Sequence, residues 1–210
     1  MAISKEILNY LEILLSQQIT GYQPVSGGSI NQTWQLQTVD AKYFIKINNL
    51  KLYPGMFKAE AAGLNLIAGT NTIKVPQIVL RGDVGNHSFL LLEWIASRRS
   101  STAGSALLGR KLAEMHQRTA PKFGLNHNNY IGSLPQRNKP HDTWSSFFIE
   151  ERLQPMVKMA VDQQLLNSTD LAAFENLYKN LSGLFDEEAP SLIHGDLWGG
   201  NYLISDDETP

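Results

Sequence analysis

A carboxylate and a carboxamide, separated by four residues, lie near the end of this 210-residue chain. Asp196 and Asn201 belong to the glycine-rich segment HGDLWGGN, and the apolar run at 202–205 after it is typical of a strand. A carboxylate can accept the proton of an attacking hydroxyl, and a carboxamide oxygen can bind a Mg²⁺ ion that bridges phosphate oxygens. Asp and Asn are also common in solvent-exposed turns, where their side chains only form hydrogen bonds that hold the turn. The spacing therefore needs support from elsewhere in the chain.

A lysine and a glutamate upstream have the order that phosphate binding requires. Lys46 lies in the strand-like run YFIKIN, and Glu60 lies in the helical run that follows. Because Ile45 and Ile47 flank Lys46, alternation along a strand places its charge on the face opposite two aliphatic side chains. Protein kinases hold ATP phosphates with such a strand lysine and a helix glutamate. An ordinary edge-strand lysine would show the same local pattern.

Two further segments have the character of a nucleotide site. Between two strand-like runs, Gly27, Gly28 and Ser29 could bring backbone N–H groups close to phosphate oxygens, although a plain hairpin also uses glycines. The run FLLLEWI, residues 89–95, ends in Glu93, Trp94 and Ile95, whose backbone groups could bind adenine. A buried strand leading into a linker fits this run equally well. Together with the lysine–glutamate pair and the carboxylate loop, these segments predict an ATP-dependent phosphotransferase.

The periodicity of apolar residues predicts the elements that must position these groups. We expect a first helix with Ser4 as its N-cap, then antiparallel strands, a helix and two more strands, at 4–18, 22–25, 33–38, 43–48, 56–69, 77–81 and 88–95. After the polar segment ASRRSSTAGS we expect helices at 106–118, at 143–161 with a kink at Pro155, and at 169–185. The pattern predicts an α+β chain with a nucleotide-binding lobe at 1–96. A partial helical lobe at 97–210 would carry the catalytic loop.

Composition limits the partners and the surroundings of the chain. Eighteen basic residues against 20 acidic ones give a net charge of −2, which offers no global attraction to nucleic acid or to an anionic membrane. The chain has no cysteine, so disulfides and thiolate metal sites are excluded. No apolar run is long enough for a membrane span or a signal peptide. We therefore expect a cytoplasmic monomer that acts on a small molecule.

Longer sequence blocks resemble one family of kinases. The chain is similar to the fructosamine kinase, or ketosamine-3-kinase, family of protein-kinase-like small-molecule kinases in the blocks YFIKIN (43–48), GRKLAEMH (109–116), YIGSLPQRN (130–138), WSSFFIEERL (144–153) and HGDLWGGN (194–201). This resemblance implies a two-lobed protein-kinase-like fold. It also implies transfer of the ATP γ-phosphate, with Mg²⁺, to the third-carbon hydroxyl of a fructosamine or ribulosamine. The ketosamine would be free or protein-bound, and the reaction would belong to protein deglycation.

The resemblance also implies a role for each candidate residue. Asp196 would be the catalytic base, and Asn201 would be a magnesium ligand. Lys46, held by Glu60, would bind phosphate together with the turn at Gly27, Gly28 and Ser29. Glu93, Trp94 and Ile95 would bind adenine, and Trp198 would line the sugar pocket. His194 would brace the catalytic loop rather than transfer protons.

One feature of such kinases is missing from the 210 residues. A second metal-binding aspartate is expected on a strand after the catalytic loop, but only fourteen residues follow Asp196, and Asp206 and Asp207 lie in a turn-like segment. The resemblance therefore implies a C-terminally incomplete kinase fold. Two other interpretations remain open. The chain could be a truncated, non-catalytic nucleotide-binding module, or a kinase of the aminoglycoside or choline type.

Overall fold

The computed structural model describes residues 2–26, 30–97, 101–186, 188–206 and 210. The chain divides into two compact units. The first comprises residues 1–115 and 194–210, and the second comprises residues 116–193. The first unit thus contains the five-stranded sheet, the helix that follows it and the predicted catalytic loop. The assignment of 1–96 and 97–210 to two functional lobes stays a prediction.

The elements of the first unit follow the predicted order. They are α1 (Lys5–Leu15), β1 (Ile19–Pro24), β2 (Gln32–Thr38), β3 (Lys42–Asn49), α2 (Met56–Gly69), β4 (Ile78–Val84), β5 (His87–Glu93) and α3 (Thr102–His116), whose last residue begins the second unit. Ser4 caps α1 as predicted, because its side chain accepts a hydrogen bond from the backbone N–H of Ile7. α3 begins at Thr102, inside the segment that the sequence predicts to be a linker.

All neighbouring strands of the sheet are antiparallel, in the order β1-β2-β3-β5-β4. Ile45 and Ile47 of β3 are buried in the core that contains Ile7 and Leu11 of α1. A second core joins Phe57 of α2 to residues of β5. Since successive side chains of a strand point to opposite faces, Lys46 lies on the side of α2. The predicted alternation around Lys46 is therefore confirmed.

The second unit is mainly helical. Its elements are β6 (Asn129–Ile131), β7 (Leu134–Gln136), α4 (Trp144–Phe148), a π-helix (Ile149–Leu153), α5 (Gln154–Asp162), α6 (Ser168–Asn180) and a 3₁₀ turn (Leu181–Gly183). The single helix predicted at 143–161, with a kink at Pro155, is divided into α4, the π-helix and α5, and Pro155 lies in the first turn of α5. Proline has no N–H to donate, which releases the carbonyl of Glu151. Arg152 Nη1 donates to that carbonyl at 3.0 Å.

Among the described residues, no helix is both long and apolar enough to cross a membrane.

Candidate active site

Lys46 and Glu60 form an ion pair between β3 and α2. The Lys46 Nζ atom lies 2.6 Å from Glu60 Oε1, and each side chain retains 26% of its accessible surface. Lys46 is held by the central strand β3 and Glu60 by α2, whose apolar residues pack on the neighbouring strand β5. The two residues, which the sequence places on successive elements, are therefore in direct contact. The ammonium group remains partly open to a further anion, as a phosphate-binding lysine must be.

Asp196 and Asn201 are brought together by their own loop. Asn201 Nδ2 donates to the backbone carbonyl of Asp196 at 2.7 Å and to its Oδ2 at 3.0 Å. Both residues are exposed. These bonds fix the amide orientation, so that Asn201 Oδ1 has no partner among the described residues. The same is true of Asp196 Oδ1 in that part of the chain. Two oxygens of this pair thus remain available for a metal ion and a substrate proton.

His194 contacts the backbone of the same loop. The Asp196 N–H donates to His194 Nδ1 at 3.3 Å. Gly195 between them has φ of 84°, a left-handed conformation that a side chain would strain. Partial burial lowers the pKa of His194, and the nearby Asp196 carboxylate offsets this only in part. The imidazole is therefore kept neutral, which Nδ1 requires in order to accept.

Trp198 covers the small residue Gly200. A Cβ atom at Gly200 would lie 2.7 Å from Cζ2 and 2.9 Å from Cζ3 of the Trp198 ring, whereas a Cβ at Gly199 would have no neighbour within 4 Å. The indole is 56% exposed. Asn201 N–H also donates to the Trp198 carbonyl at 2.8 Å, which closes the turn. Glycine at position 200 therefore lets the ring lie against the loop while one face stays accessible.

The chain leaves the loop along the first unit. Ser205 forms an isolated antiparallel bridge with Ser97, and Asp206 N–H donates to the Ala96 carbonyl at 3.2 Å. Ile204 is 2% exposed and lies against α3, where a Cβ at Gly104 would be 3.1 Å from it. The strand predicted at 202–205 is thus reduced to one bridge. The predicted catalytic loop is thus anchored by the buried Ile204 that follows it.

The segment predicted to bind adenine follows β5. Glu93 is already engaged, because its N–H donates to the Gln77 carbonyl at 2.9 Å and its Oε1 accepts from Gln77 N–H at 3.0 Å. Trp94 and Ile95 are half-buried and make no backbone hydrogen bond with any described residue. Trp94 and Ile95 therefore keep backbone groups that a ligand could bind, whereas the N–H of Glu93 is already used.

Gly27, Gly28 and Ser29, the predicted phosphate-facing turn, lie outside the described residues. The ends of the segment that contains them are defined on both sides. Val25 N–H donates to the Thr33 carbonyl at 3.0 Å, and Thr33 Oγ1 donates to the Val25 carbonyl at 2.7 Å.

A polar cluster in the second unit was not predicted. Glu151 is buried. Its Oε1 accepts a hydrogen bond from His141 Nε2 at 3.1 Å, and its Oε2 pairs with Arg137 Nε at 3.5 Å. His141, Glu150 and Glu151 each place one potential metal-ligand atom within 4.8 Å of the others. Arg137 already balances the buried carboxylate, so the cluster is explained as an ion-pair network.

Arg152 extends this network to the hairpin of β6 and β7. Its Nη1 donates to the Arg137 carbonyl and its Nη2 to Asn138 Oδ1, both at 2.6 Å, and its guanidinium lies 4.6 Å from the Phe147 ring centroid. Burial lowers the pKa of Arg152, opposed by Glu151. The network joins two sequence blocks noted above, 130–138 and 144–153. The only sequence signal of this network is the presence of charged residues, Glu151 and Arg152 among them, in an otherwise apolar helical run.

Comparison with known proteins identifies the family. The family model described as fructosamine kinase matches residues 3–210. A "Probable ketoamine kinase" of Synechocystis sp. is 39% identical over 181 residues, which cover 86% of this chain and 60% of that protein. The "Protein-ribulosamine 3-kinase, chloroplastic" of Arabidopsis thaliana is 37% identical over 201 residues, which cover 92% of this chain and 60% of that protein. The chain thus spans about three fifths of the length of these two relatives.

Solved structures confirm the fold. A crystal structure named "Putative fructosamine-3-kinase" from Haemophilus somnus 129PT has a TM-score of 0.83 and 30% identity, covering 97% of this chain and 69% of that one. A spectinomycin phosphotransferase, at 17% identity and a TM-score of 0.56, covers 99% of this chain and 67% of that one and shares the fold alone. The predicted α+β, protein-kinase-like fold is therefore confirmed. With a family model matched over almost its whole length and relatives above 30% identity, the chain belongs to the fructosamine kinase family.

Proposed function

We propose that the protein carrying this chain is an ATP-dependent kinase that phosphorylates the third-carbon hydroxyl of ketosamines. Family membership and the names of the ketoamine and ribulosamine kinase relatives support the reaction class. The observation that carries the assignment is the Asp196–Asn201 pair. Asn201 holds one oxygen of the exposed Asp196 carboxylate, and the other oxygen has no partner among the described residues. A general base needs this arrangement, because it must be oriented and must still reach a substrate proton.

Asp196 is the proposed proton acceptor. As the hydroxyl oxygen of the sugar bonds to the γ-phosphorus, the bond from that phosphorus to the bridging oxygen breaks and ADP leaves. The hydroxyl proton passes to Asp196 Oδ1, the oxygen that Asn201 does not hold. His194 keeps the loop in place, because its Nδ1 accepts a hydrogen bond from the Asp196 N–H. The phosphorylated sugar and ADP are the two products.

Lys46 is the proposed phosphate-binding residue. Its ammonium is oriented by Glu60 Oε1 at 2.6 Å, and the Lys46 side chain is 26% exposed. Phosphoryl transfer depends mainly on positioning and on charge stabilisation, and a lysine held by a glutamate supplies both. Gly27, Gly28 and Ser29 are proposed to add backbone N–H donors. Trp94 and Ile95, with Glu93 preceding them, are proposed to bind adenine.

Asn201 fits the role of a magnesium ligand. Its nitrogen is committed to Asp196, so Oδ1 is the atom left to bind a cation, and carboxamide oxygens are suitable ligands for Mg²⁺. When bound, the ion would neutralise charge on the ATP phosphates. Trp198 is proposed to line the sugar site with its exposed ring face.

Comparison of acceptors tests the proposal. ADP release by the protein with Mg²⁺ and ATP should rise with a ribulosamine or a fructosamine, and not with an aminoglycoside or with choline. The Asp196→Asn protein should lose this stimulation and still bind nucleotide. Equal stimulation by an aminoglycoside would contradict the substrate class. Stimulation that survives Asp196→Asn would contradict the assigned base.

A further inference from the structure

Asn48 extends the pairing of β2 with β3 beyond the last backbone pair. The paired positions run from Gln37 with Lys42 to Gln32 with Ile47 in unbroken register. The next positions in that register are Asn31 and Asn48. Their side chains meet, and Asn48 Nδ2 donates to Asn31 Oδ1 at 3.2 Å. A side-chain contact therefore replaces the backbone ladder where the chain emerges from the predicted phosphate-facing turn.

The same amide reaches the first turn of α2. Asn48 Nδ2 also lies 3.3 Å from Met56 Sδ. Two residues earlier on β3, Lys46 contacts Glu60, four residues later on α2. Two residues of strand span about 6.6 Å and four residues of helix about 6.0 Å, so the two contacts are matched crosslinks between one strand and one helix. Position 48 thus lies beside the ion pair that positions Lys46.

Stability does not account for an asparagine here. Asn48 is 6% exposed, and its Oδ1 is buried without a hydrogen-bond partner among the described residues. An unpartnered buried acceptor destabilises a fold, and an apolar side chain of similar size would avoid that cost. The donor Nδ2, with its two contacts, is the part of the side chain that the structure uses.

The other end of the same turn is fixed to β2. Val25 and Thr33 exchange a backbone and a side-chain hydrogen bond, and Thr33 is the register partner of Lys46. Thr33 of β2 therefore lies beside position 46 of β3, and Asn31 lies beside position 48. Both β3 positions face α2, through Glu60 and Met56.

We propose that Asn48 is a positioning residue for nucleotide binding. It joins Asn31, just before β2, to Met56 of α2, and so holds β2, β3 and α2 together beside the Lys46–Glu60 pair. The inference rests on the proposed function only in assigning this surface to ATP phosphates. Asn48 acts through Asn31 and Met56, not by contacting the nucleotide.

Nucleotide affinity, measured apart from thermal stability, tests this role. Asn48→Leu should weaken ATP binding about tenfold, equivalent to roughly 1.4 kcal/mol, without lowering the unfolding temperature. Thr38→Val is the matched control. Thr38 is also buried on β2 and its Oγ1 donates to the Ala41 carbonyl at 3.2 Å, but it lies at the opposite end of the strand. This control should lower the unfolding temperature and leave ATP affinity unchanged.

A double-substitution cycle shows whether Asn48 acts through the ion pair. Asn48→Leu and Glu60→Gln should together weaken ATP binding by less than the product of their separate effects, because both loosen α2 from β3. Independent effects, or unchanged affinity in Asn48→Leu, would overturn the proposal. If Asn48→Leu does not fold, Asn31→Ala removes the same acceptor and should weaken ATP binding similarly. ATP binding without ketosamine phosphorylation would contradict the proposed function alone, whereas no ATP binding by the unsubstituted protein would overturn both.

Discussion

The two candidate pairs of the first unit are supported in opposite ways. Lys46 and Glu60 are fourteen residues apart in sequence and are positioned by the central strand β3 and by α2, which packs on the neighbouring strand β5. Asp196 and Asn201 are close in sequence and exposed, and are held by hydrogen bonds within one loop. The first pair depends on the sheet and its core. The second depends on a few local groups: His194, Gly195 and the Asn201 amide.

Under the proposed function, this difference assigns nucleotide binding to the first pair and the chemical step to the second. The sheet-supported pair is suited to holding a large, highly charged phosphate chain in a fixed place. The loop-supported pair leaves two oxygens free at an exposed position, where a sugar and a metal ion can reach them. Substitutions in the first pair should therefore change nucleotide affinity, and substitutions in the second should change turnover.

The largest effect is expected at Asp196. Asp196→Asn should lower kcat for ketosamine phosphorylation about a thousandfold, because the amide cannot accept the hydroxyl proton. ATP affinity should stay near that of the unsubstituted protein. Steady-state kinetics with direct nucleotide-binding measurements checks both. Asp206→Asn, at an exposed carboxylate beyond the loop, is the control and should leave kcat unchanged.

The second effect concerns the sheet-supported pair. Lys46→Met should weaken ATP binding by about tenfold to a hundredfold, because a charge-assisted contact to phosphate is lost. Glu60→Gln should weaken it less, since it disturbs only the orientation of the ammonium. Lys42→Met, an exposed position on the same strand, should have no effect on the ATP dissociation constant. Equal losses in the Lys42 and Lys46 variants would contradict a specific role for Lys46.

A smaller effect is expected from Gly200→Ala. The added Cβ would overlap the Trp198 ring and move the indole. If that ring lines the sugar site, the KM for ketosamine should rise about tenfold while the KM for ATP stays constant. Gly199→Ala has open space at the corresponding position and is the matched control. A rise in the KM for ATP instead would place Trp198 at the nucleotide.

The smallest effect is expected at His194. His194→Ala should lower kcat about fivefold by removing the acceptor of the Asp196 N–H. His194→Asn should retain most activity, because the Asn Oδ1 atom takes the place of imidazole Nδ1. Similar losses of kcat in both variants would show that the hydrogen bond from the Asp196 N–H to position 194 does not matter for turnover.

Acid should act on the same histidine. Because burial lowers the pKa of His194, the unfolded chain binds the proton near the ordinary value of 6.5 and the folded chain only at lower pH. The stability contributed by the neutral ring is thus complete above pH 6.5 and is lost as the pH falls toward the lowered pKa. The unfolding temperature of the unsubstituted protein should exceed that of His194→Ala by more at neutral pH than at acidic pH. The change in the unfolding temperature with pH should be small, since the ring is only partly buried.

Much of the first unit could be predicted because its signals are local. Alternation around Lys46 gave the strand and its buried face, and Ser4 gave the start of α1. The order of Lys46 and Glu60 predicted their pairing only through the resemblance to kinases, because sequence spacing does not specify which helix packs on which strand.

Other features depend on contacts between distant segments. The hairpin of β6 and β7 is only three residues per strand, too short for alternation to indicate it. Burial of Glu151 requires His141 and Arg137, neither of which is marked by the helical pattern. The asparagine pair of β2 and β3 becomes visible only once the register of those strands is known.

The most direct test of the account is to identify the phosphorylated product. The protein should be incubated with Mg²⁺, ATP and a ribulosamine, and the product analysed by mass spectrometry and phosphorus NMR. The account predicts one added phosphate, on the oxygen of the third carbon, with an equal amount of ADP and no product from the Asp196→Asn protein. ADP formed without a phosphorylated sugar, or phosphate on another oxygen, would contradict it.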